Sequence, residues 1–204
     1  MAQTWQEAQQ FESHWHGNCI NSFWEETKQQ VYASKMGLES EFVDGKFPVY
    51  NLNDKSILDI GGGAYSLLLK CINLSDKSIV IDPCDYPEWI FERYLEAGIN
   101  LIKVKGEEFT VKPIIKYDEC WIYNCLQHVE DPKKIIDNAR QSARIIRIFE
   151  WIDNGVSDGH PQDLKENLLN EWLHGVGKVE VLNESGCNGK CYYGIFPTSN
   201  NEQK

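Results

Sequence analysis

The sequence predicts an α/β protein: a doubly wound, mostly parallel sheet with an antiparallel C-terminal hairpin and a helical N-terminal cap. Three observations carry this. From residue 55 onward, short apolar runs alternate with longer mixed stretches, the pattern of parallel strands between covering helices. The first run, SILDIGGGAYSLLL (56–69), holds three glycines between two apolar segments, as where a strand turns sharply over a ligand. The last two runs enclose Asn188-Gly189, a dipeptide that favours the positive φ angles of a tight hairpin turn.

Residues 1–50 read as the N-terminal cap, rich in aromatics at Trp5, Phe11, Trp15, Phe23, Trp24 and Tyr32. Ser22 followed by Glu25 is a capping box, so a helix starts there. Phe23, Thr27, Val31 and Lys35 form one row of it, and Gly37 is its C-cap. Residues 38–54, with Gly45 and Pro48, read as a connector. The α/β domain then spans 51–198, with a tail at 199–204. Its strands are expected at 56–60, 78–82, 100–104, 118–124 and 143–150. Helices are expected near 64–73, 87–97 and 132–141, the last opened by Asp131 as cap and Pro132 in the first helical position. A helix near 161–173 precedes the hairpin strands 178–183 and 191–196.

A length of 204 residues can bury a substantial core within one domain. The net charge of -11 argues against nucleic acid as a partner, because phosphate binding rests on clustered Lys and Arg. No apolar run is long enough to span a membrane. The opening MAQTWQEAQQF carries no basic and apolar leader, so the expectation is a cytoplasmic protein whose seven cysteines are reduced thiols. Cys187 and Cys191 in CNGKC suit a hairpin better than half a metal site, for no second pair stands at zinc spacing. His14 and His16 have the wrong spacing for two ligands on one helix face, so no metal is expected. Oligomeric state stays open.

In a doubly wound sheet the ligand sits at the carboxyl ends of the strands. Gly61 and Gly63 let the backbone approach it without a Cβ in the way. A helix starting near Ala64 would aim its unpaired N–H groups at the same place. Asp82 closes the next strand and can accept hydrogen bonds from vicinal ribose hydroxyls. These features also suit a nicotinamide dinucleotide. Two points oppose it: Asp59 would face a pyrophosphate, and the chain lacks room for a second mononucleotide half and a substrate domain.

Taken in order, LDIGGG, IVIDP, GEEF, DECWIYNCLQH and VEDP, spread over residues 55–196, resemble the class I S-adenosylmethionine-dependent methyltransferases. The resemblance implies a seven-stranded sheet whose last strand is antiparallel, and S-adenosylmethionine as cofactor. It also implies that Asp59, Gly61 and Gly63 cradle the methionine part and that Asp82 binds the ribose. Glu107 and Glu108 would lie near the adenine, Phe109 against its face, and Asn124 and Gln127 would close the site. Where the family often has a third glycine, this chain has Tyr65, which either covers the cofactor or fills space at the helix start.

Methyl transfer from a sulfonium asks the protein to align nucleophile and methyl and to exclude water, with a base where the nucleophile is protonated. His128, after the fourth strand, is the candidate base, because its ordinary pKa suits proton removal near neutrality. Tyr65, Trp15, Glu150 and His160 are candidate residues of the acceptor pocket. The Asn-Pro-Pro-aromatic pattern usual in DNA amino-methyltransferases is replaced by Asn124-Cys125-Leu126-Gln127. With the acidic balance, this points to O- or N-methylation of a small or medium-sized metabolite. Two alternatives stay open: a non-catalytic protein of the same fold, and a nicotinamide-dependent reductase.

Overall fold

The computed structural model describes residue 10 and residues 23–43, 47–110, 116–184 and 186–198. The chain runs α1 (Phe23–Lys35), β1 (Ser40–Val43), β2 (Phe47–Asn51), β3 (Ile57–Ile60), β4 (Cys71–Ile72), β5 (Ile79–Ile81), α2 (Glu88–Glu96) and β6 (Asn100–Ile102). It continues through β7 (Tyr117–Tyr123), α3 (Pro132–Ser142), β8 (Ala143–Trp151), α4 (Glu166–Leu173), β9 (Lys178–Glu184) and β10 (Cys187–Pro197). Seven strands form the main sheet in the order β6-β5-β3-β7-β8-β10-β9. Its pairings are parallel except for β10, which is antiparallel to both β8 and β9.

The apolar runs become strands because both sheet faces are covered. β3 and β5 are buried along their whole length, as expected of central parallel strands. Ile57, Val80, Trp121 and Phe149 pack on one face with Tyr32 of α1, Met36 just past its end, and Ile90 and Tyr94 of α2. Leu58, Ile81, Ile122 and Ile148 pack on the other with Ile135, Ile136 and Ala139 of α3 and Leu169 and Leu173 of α4. Helix α4, marginal on its own at eight residues, is held by those two leucines, each worth about 1.5–3 kcal/mol on burial.

Two local signals are where the sequence puts them. Asp131 accepts a hydrogen bond from the Lys134 amide at 2.9 Å, with Pro132 opening α3. Gly37 ends α1 at φ +73°, with Leu38 N–H donating to Ala33 O (2.9 Å) and Gly37 N–H to Ser34 O (3.0 Å). Trp5, Phe11, Trp15 and the Ser22 cap lie outside the described residues, as do the tail, His14, His16 and Cys19. The six described cysteines are free thiols, and no described helix is long and apolar enough to cross a membrane.

Four expectations are corrected. Residues 38–54 are not a bare connector: β1 and β2 pair antiparallel, and β2 takes β4 as a parallel neighbour through Tyr50↔Cys71. That pairing draws Cys71 and Ile72 into extended form, so the helix expected over 64–73 shrinks to one 3-10 turn at Leu67–Lys70. The helix expected from 161 begins at Glu166 because the residues before it bind elsewhere: Gln162 bonds to Gln127, Val129 and Glu130, and Leu164 O accepts from Asp153 N–H. Finally, the hairpin closes at the Glu184–Cys187 pair, with Gly186 at φ +81°. Asn188-Gly189 lies inside β10, where a Cβ on Gly189 would sit 3.4 Å from the Trp151 ring. Cys187 and Cys191 are buried in that strand, and burial pushes both thiols up to about 11.

At the amino ends of the central strands, Glu119 of β7 is almost fully buried and receives four hydrogen bonds. Arg147 donates through Nε (2.6 Å) and Nη2 (3.1 Å), Lys55 through Nζ (2.9 Å) and Trp121 through Nε1 (3.0 Å). Burial alone would raise this carboxyl, but these donors hold it down at about 2. The remaining Arg147 nitrogen donates to Met36 O (2.7 Å) and Gly37 O, tying the end of α1 to the sheet.

Candidate functional site

The glycine turn leaves β3 at the carboxyl edge of the sheet. Gly61 N–H donates to Ile81 O at 2.8 Å, with φ at +72°, and Gly63 follows at +67°. A Cβ on Gly61 would lie 2.6 Å from Cys125 Cβ, and one on Gly62 2.6 Å from Asp59 Oδ2. Gly61→Ala therefore meets both a left-handed backbone and a steric clash. A loss of about 2–4 kcal/mol is expected in urea unfolding, from strain plus overpacking. The structure differs from the expectation that a helix N-terminus serves this turn. Side chains occupy its amides instead. Gly63 N–H donates to Asp82 Oδ2 (3.1 Å), Ser66 N–H to the Tyr94 hydroxyl (2.8 Å) and Leu67 N–H to the Tyr123 hydroxyl (3.0 Å). The Tyr94 hydroxyl in turn donates to Gly63 O at 2.8 Å.

Both predicted carboxylates meet at this turn. Asp59 is completely buried; its Oδ2 accepts from the Tyr123 hydroxyl (2.8 Å) and from Ser66 Oγ. Its Oδ1 has no partner among the described residues. Burial pushes this carboxyl up and the Asp82 charge adds to it, against the Ser66 and Tyr123 hydrogen bonds, to about 7. Asp82 is also buried, and its Oδ1 accepts from Cys84 N–H and the Tyr86 hydroxyl, both at 2.9 Å.

The loop after β7 closes over Gly61 through Cys125. Asn124 stands at φ +51°, and its Oδ1 accepts from Gln127 Nε2 at 3.0 Å. Glu150 of β8 is fully buried and moors this loop, its Oε1 accepting from Cys125 N–H (3.0 Å) and Leu126 N–H (3.1 Å). Burial raises its carboxyl to about 8 against those two donors, and Oε2 has no partner among the described residues. Its role is therefore to hold the loop, not to line its surface.

The remaining candidates divide. Glu107 Oε1 accepts from Glu130 N–H (3.1 Å) and Asp131 N–H (3.2 Å), which turns it toward the start of α3. Glu108 is exposed, and Phe109 packs against the apolar cluster under α3. The Tyr65 ring faces Lys70 (4.9 Å) and Arg93 (5.6 Å), and its carbonyl accepts from Gln29. His128 and His160, far apart in sequence, are neighbours with ring centroids 4.6 Å apart. Trp15 lies outside the described residues. Sequence reasoning missed Ser66, Tyr86, Tyr94 and Tyr123. Ser66 alone carried a signal, a capping residue directly behind the glycine turn; Tyr94 buried in a helix, Tyr123 buried in a strand and the half-buried Tyr86 between β5 and α2 carry none.

No protein-family model and no curated protein sequence matches the chain. Solved structures do. The N-methyltransferase NodS of Bradyrhizobium japonicum WM9, in complex with S-adenosyl-L-homocysteine, matches with a TM-score of 0.61 at 14% identity, over 94% of this chain and 98% of that one. The 1,6-didemethyltoxoflavin-N1-methyltransferase of Burkholderia thailandensis, with 1,6-didemethyltoxoflavin and S-adenosylhomocysteine bound, also scores 0.61, at 12% identity over 96% and 88% of the two chains. The magnesium protoporphyrin IX methyltransferase of Synechocystis PCC 6803, with S-adenosylmethionine bound, scores 0.54 at 11% identity over 93% and 97%. With the strand order and the reversed β10, these matches show that the chain has the class I S-adenosylmethionine-dependent methyltransferase fold.

Proposed function

We propose that the protein transfers a methyl group from S-adenosylmethionine to an oxygen or nitrogen of a small or medium-sized metabolite. The observation that carries this is the meeting of Asp59 and Asp82 beneath a turn with no space for side chains at Gly61 and Gly62. The unpartnered, buried Oδ1 of Asp59 fits a ligand that brings hydrogen-bond donors and positive charge. The methionine part of the cofactor has both. Asp59, Gly61 and Gly63 would hold that part, and Asp82 the ribose, its hydroxyls replacing that of Tyr86. Asn124 and Gln127 would bound the site on the β7 side. Glu108 and Phe109 are left for the adenine, because Glu107 is committed to the backbone at α3.

When bound, the cofactor supplies an electrophilic methyl on a sulfonium. The chain supplies alignment and a dry surround. A nicotinamide dinucleotide gains no support, because the helix N-terminus that would receive its pyrophosphate is replaced by a single 3-10 turn. The acidic chain and the metabolite-methylating neighbours favour a small acceptor over nucleic acid.

Isothermal titration with S-adenosylhomocysteine tests the reading. The wild-type protein is expected to bind, and Asp82→Ala to bind about 10- to 100-fold more weakly through the loss of charge-assisted hydrogen bonds. No heat from the wild-type protein, or equal affinity in the variant, overturns it.

A further inference from the structure

His128 is the candidate base and His160 a candidate of the acceptor pocket, and the structure treats their nitrogens differently. His128 Nδ1 lies 2.6 Å from Gly159 O, an acceptor only, so Nδ1 carries the hydrogen and Nε2 is the acceptor. That Nε2 is 3.2 Å from Gln127 Nε2, whose amide also donates to Asn124. Both nitrogens of His128 are thus engaged: Nδ1 ties the loop after β7 to the loop after β8, and Nε2 is held within the first of these loops.

His160 is placed otherwise. Its Nδ1 lies 3.0 Å from Ser157 Oγ, and the two residues are also joined by a pair of backbone hydrogen bonds. Its Nε2 has no hydrogen-bond partner among the described residues. The ring is half-buried against His128, and burial lowers its pKa, which keeps it neutral near neutral pH. In the tautomer whose Nδ1 hydrogen is donated to Ser157 Oγ, the Nε2 lone pair is open. The loop after β7 connects His160 to the glycine turn: Cys125 closes over Gly61, and His128, three residues further on, sets its ring beside that of His160.

We propose that His160 Nε2, and not His128, takes the proton from the methyl acceptor, and that His128 is a positioning residue that fixes the His160 loop beside the cofactor turn. This rests on the methyltransferase reading and narrows its substrate class to acceptors whose nucleophilic atom arrives protonated, a hydroxyl or an ammonium. The acceptor's proton passes to His160 Nε2, and the freed lone pair forms the new bond to the methyl carbon. The carbon–sulfur bond breaks, and its electron pair returns to sulfur.

Two measurements on the full chain test this. Carbethoxylation with diethyl pyrocarbonate near neutral pH, mapped by peptide mass spectrometry, is expected to modify His160 before His128; the reverse order overturns the proposal. Methyl transfer is then followed as S-adenosylhomocysteine formation on panels of phenols, carboxylic acids, primary amines and thiols. His160→Gln is expected to lower kcat for hydroxyl or amine acceptors by about 10²- to 10⁴-fold, with KM and cofactor affinity unchanged. His128→Asn, which keeps a donor for Gly159 O, is expected to retain activity that His128→Ala loses. Unchanged kcat in His160→Gln overturns the proposal, and so does wild-type protein that binds cofactor but methylates only thiols or nothing on the panels. Failure of the wild-type protein to bind cofactor overturns the methyltransferase reading instead.

Discussion

Arg147→Met is expected to destabilise the fold by about 3–5 kcal/mol, because it leaves the Glu119 carboxylate buried with only Lys55 and Trp121 as donors. The same change releases the carbonyls of Met36 and Gly37, so part of the loss comes from α1. Urea unfolding of the single variant and of Arg147→Met with Glu119→Leu measures it. The double variant is expected to recover much of the loss, since removing both charges leaves no unpaired one; a double variant as unstable as the sum of the singles counts against this account. The pair also sets the acid limb of stability. The Glu119 carboxyl, ordinarily at 4.5, is held at about 2 in the fold. Its contribution is complete above the ordinary value and disappears as pH falls through the folded one.

At the opposite end of the strands the pH dependence reverses. Asp59 stands at about 7 in the fold against an ordinary 3.8, and Glu150 at about 8 against 4.5. Between those limits the unfolded chain has released protons that the fold retains, so stability falls as pH rises and levels off above about 8. For Asp59 the drop is about 4 kcal/mol. Asp59→Asn keeps an acceptor for Tyr123 and Ser66 but removes this slope. Denaturant midpoints measured from mildly acidic to mildly alkaline pH are expected to decline less steeply in the variant, and less steeply still with Glu150→Gln added. Parallel curves for wild type and variants rule the assignment out.

The sheet was legible in the sequence because its signals are local. Apolar runs at βαβ spacing, Asp131-Pro132 and Gly37 each act within a few residues. Ala64–Asn73 was not, since an apolar run after glycines reads alike as a helix and as a buried turn, and the pairing of Cys71 with Tyr50 decides it from 21 positions away. β1 was hidden because all four of its residues are exposed, and β2 because it carries Pro48. In the site, the acidic residues at strand ends announced themselves through position. The tyrosine hydroxyls that hold the glycine turn did not, and neither did the turning of Glu107 toward α3. His128 and His160 were each visible, but their contact depends on how two loops pack and has no signature in spacing.

The placement of β10 has a consequence for assembly. β9 precedes it in the chain yet lies outside it in the sheet, at the edge, and its one strand neighbour is β10. β9 therefore joins the sheet through β10 alone, as the outer strand of a two-stranded ribbon. During synthesis, when earlier segments organise first, the Phe149 and Ile148 edge of β8 remains an open template until that ribbon arrives. The interval before its docking is when this protein is most exposed to pairing with the wrong strand.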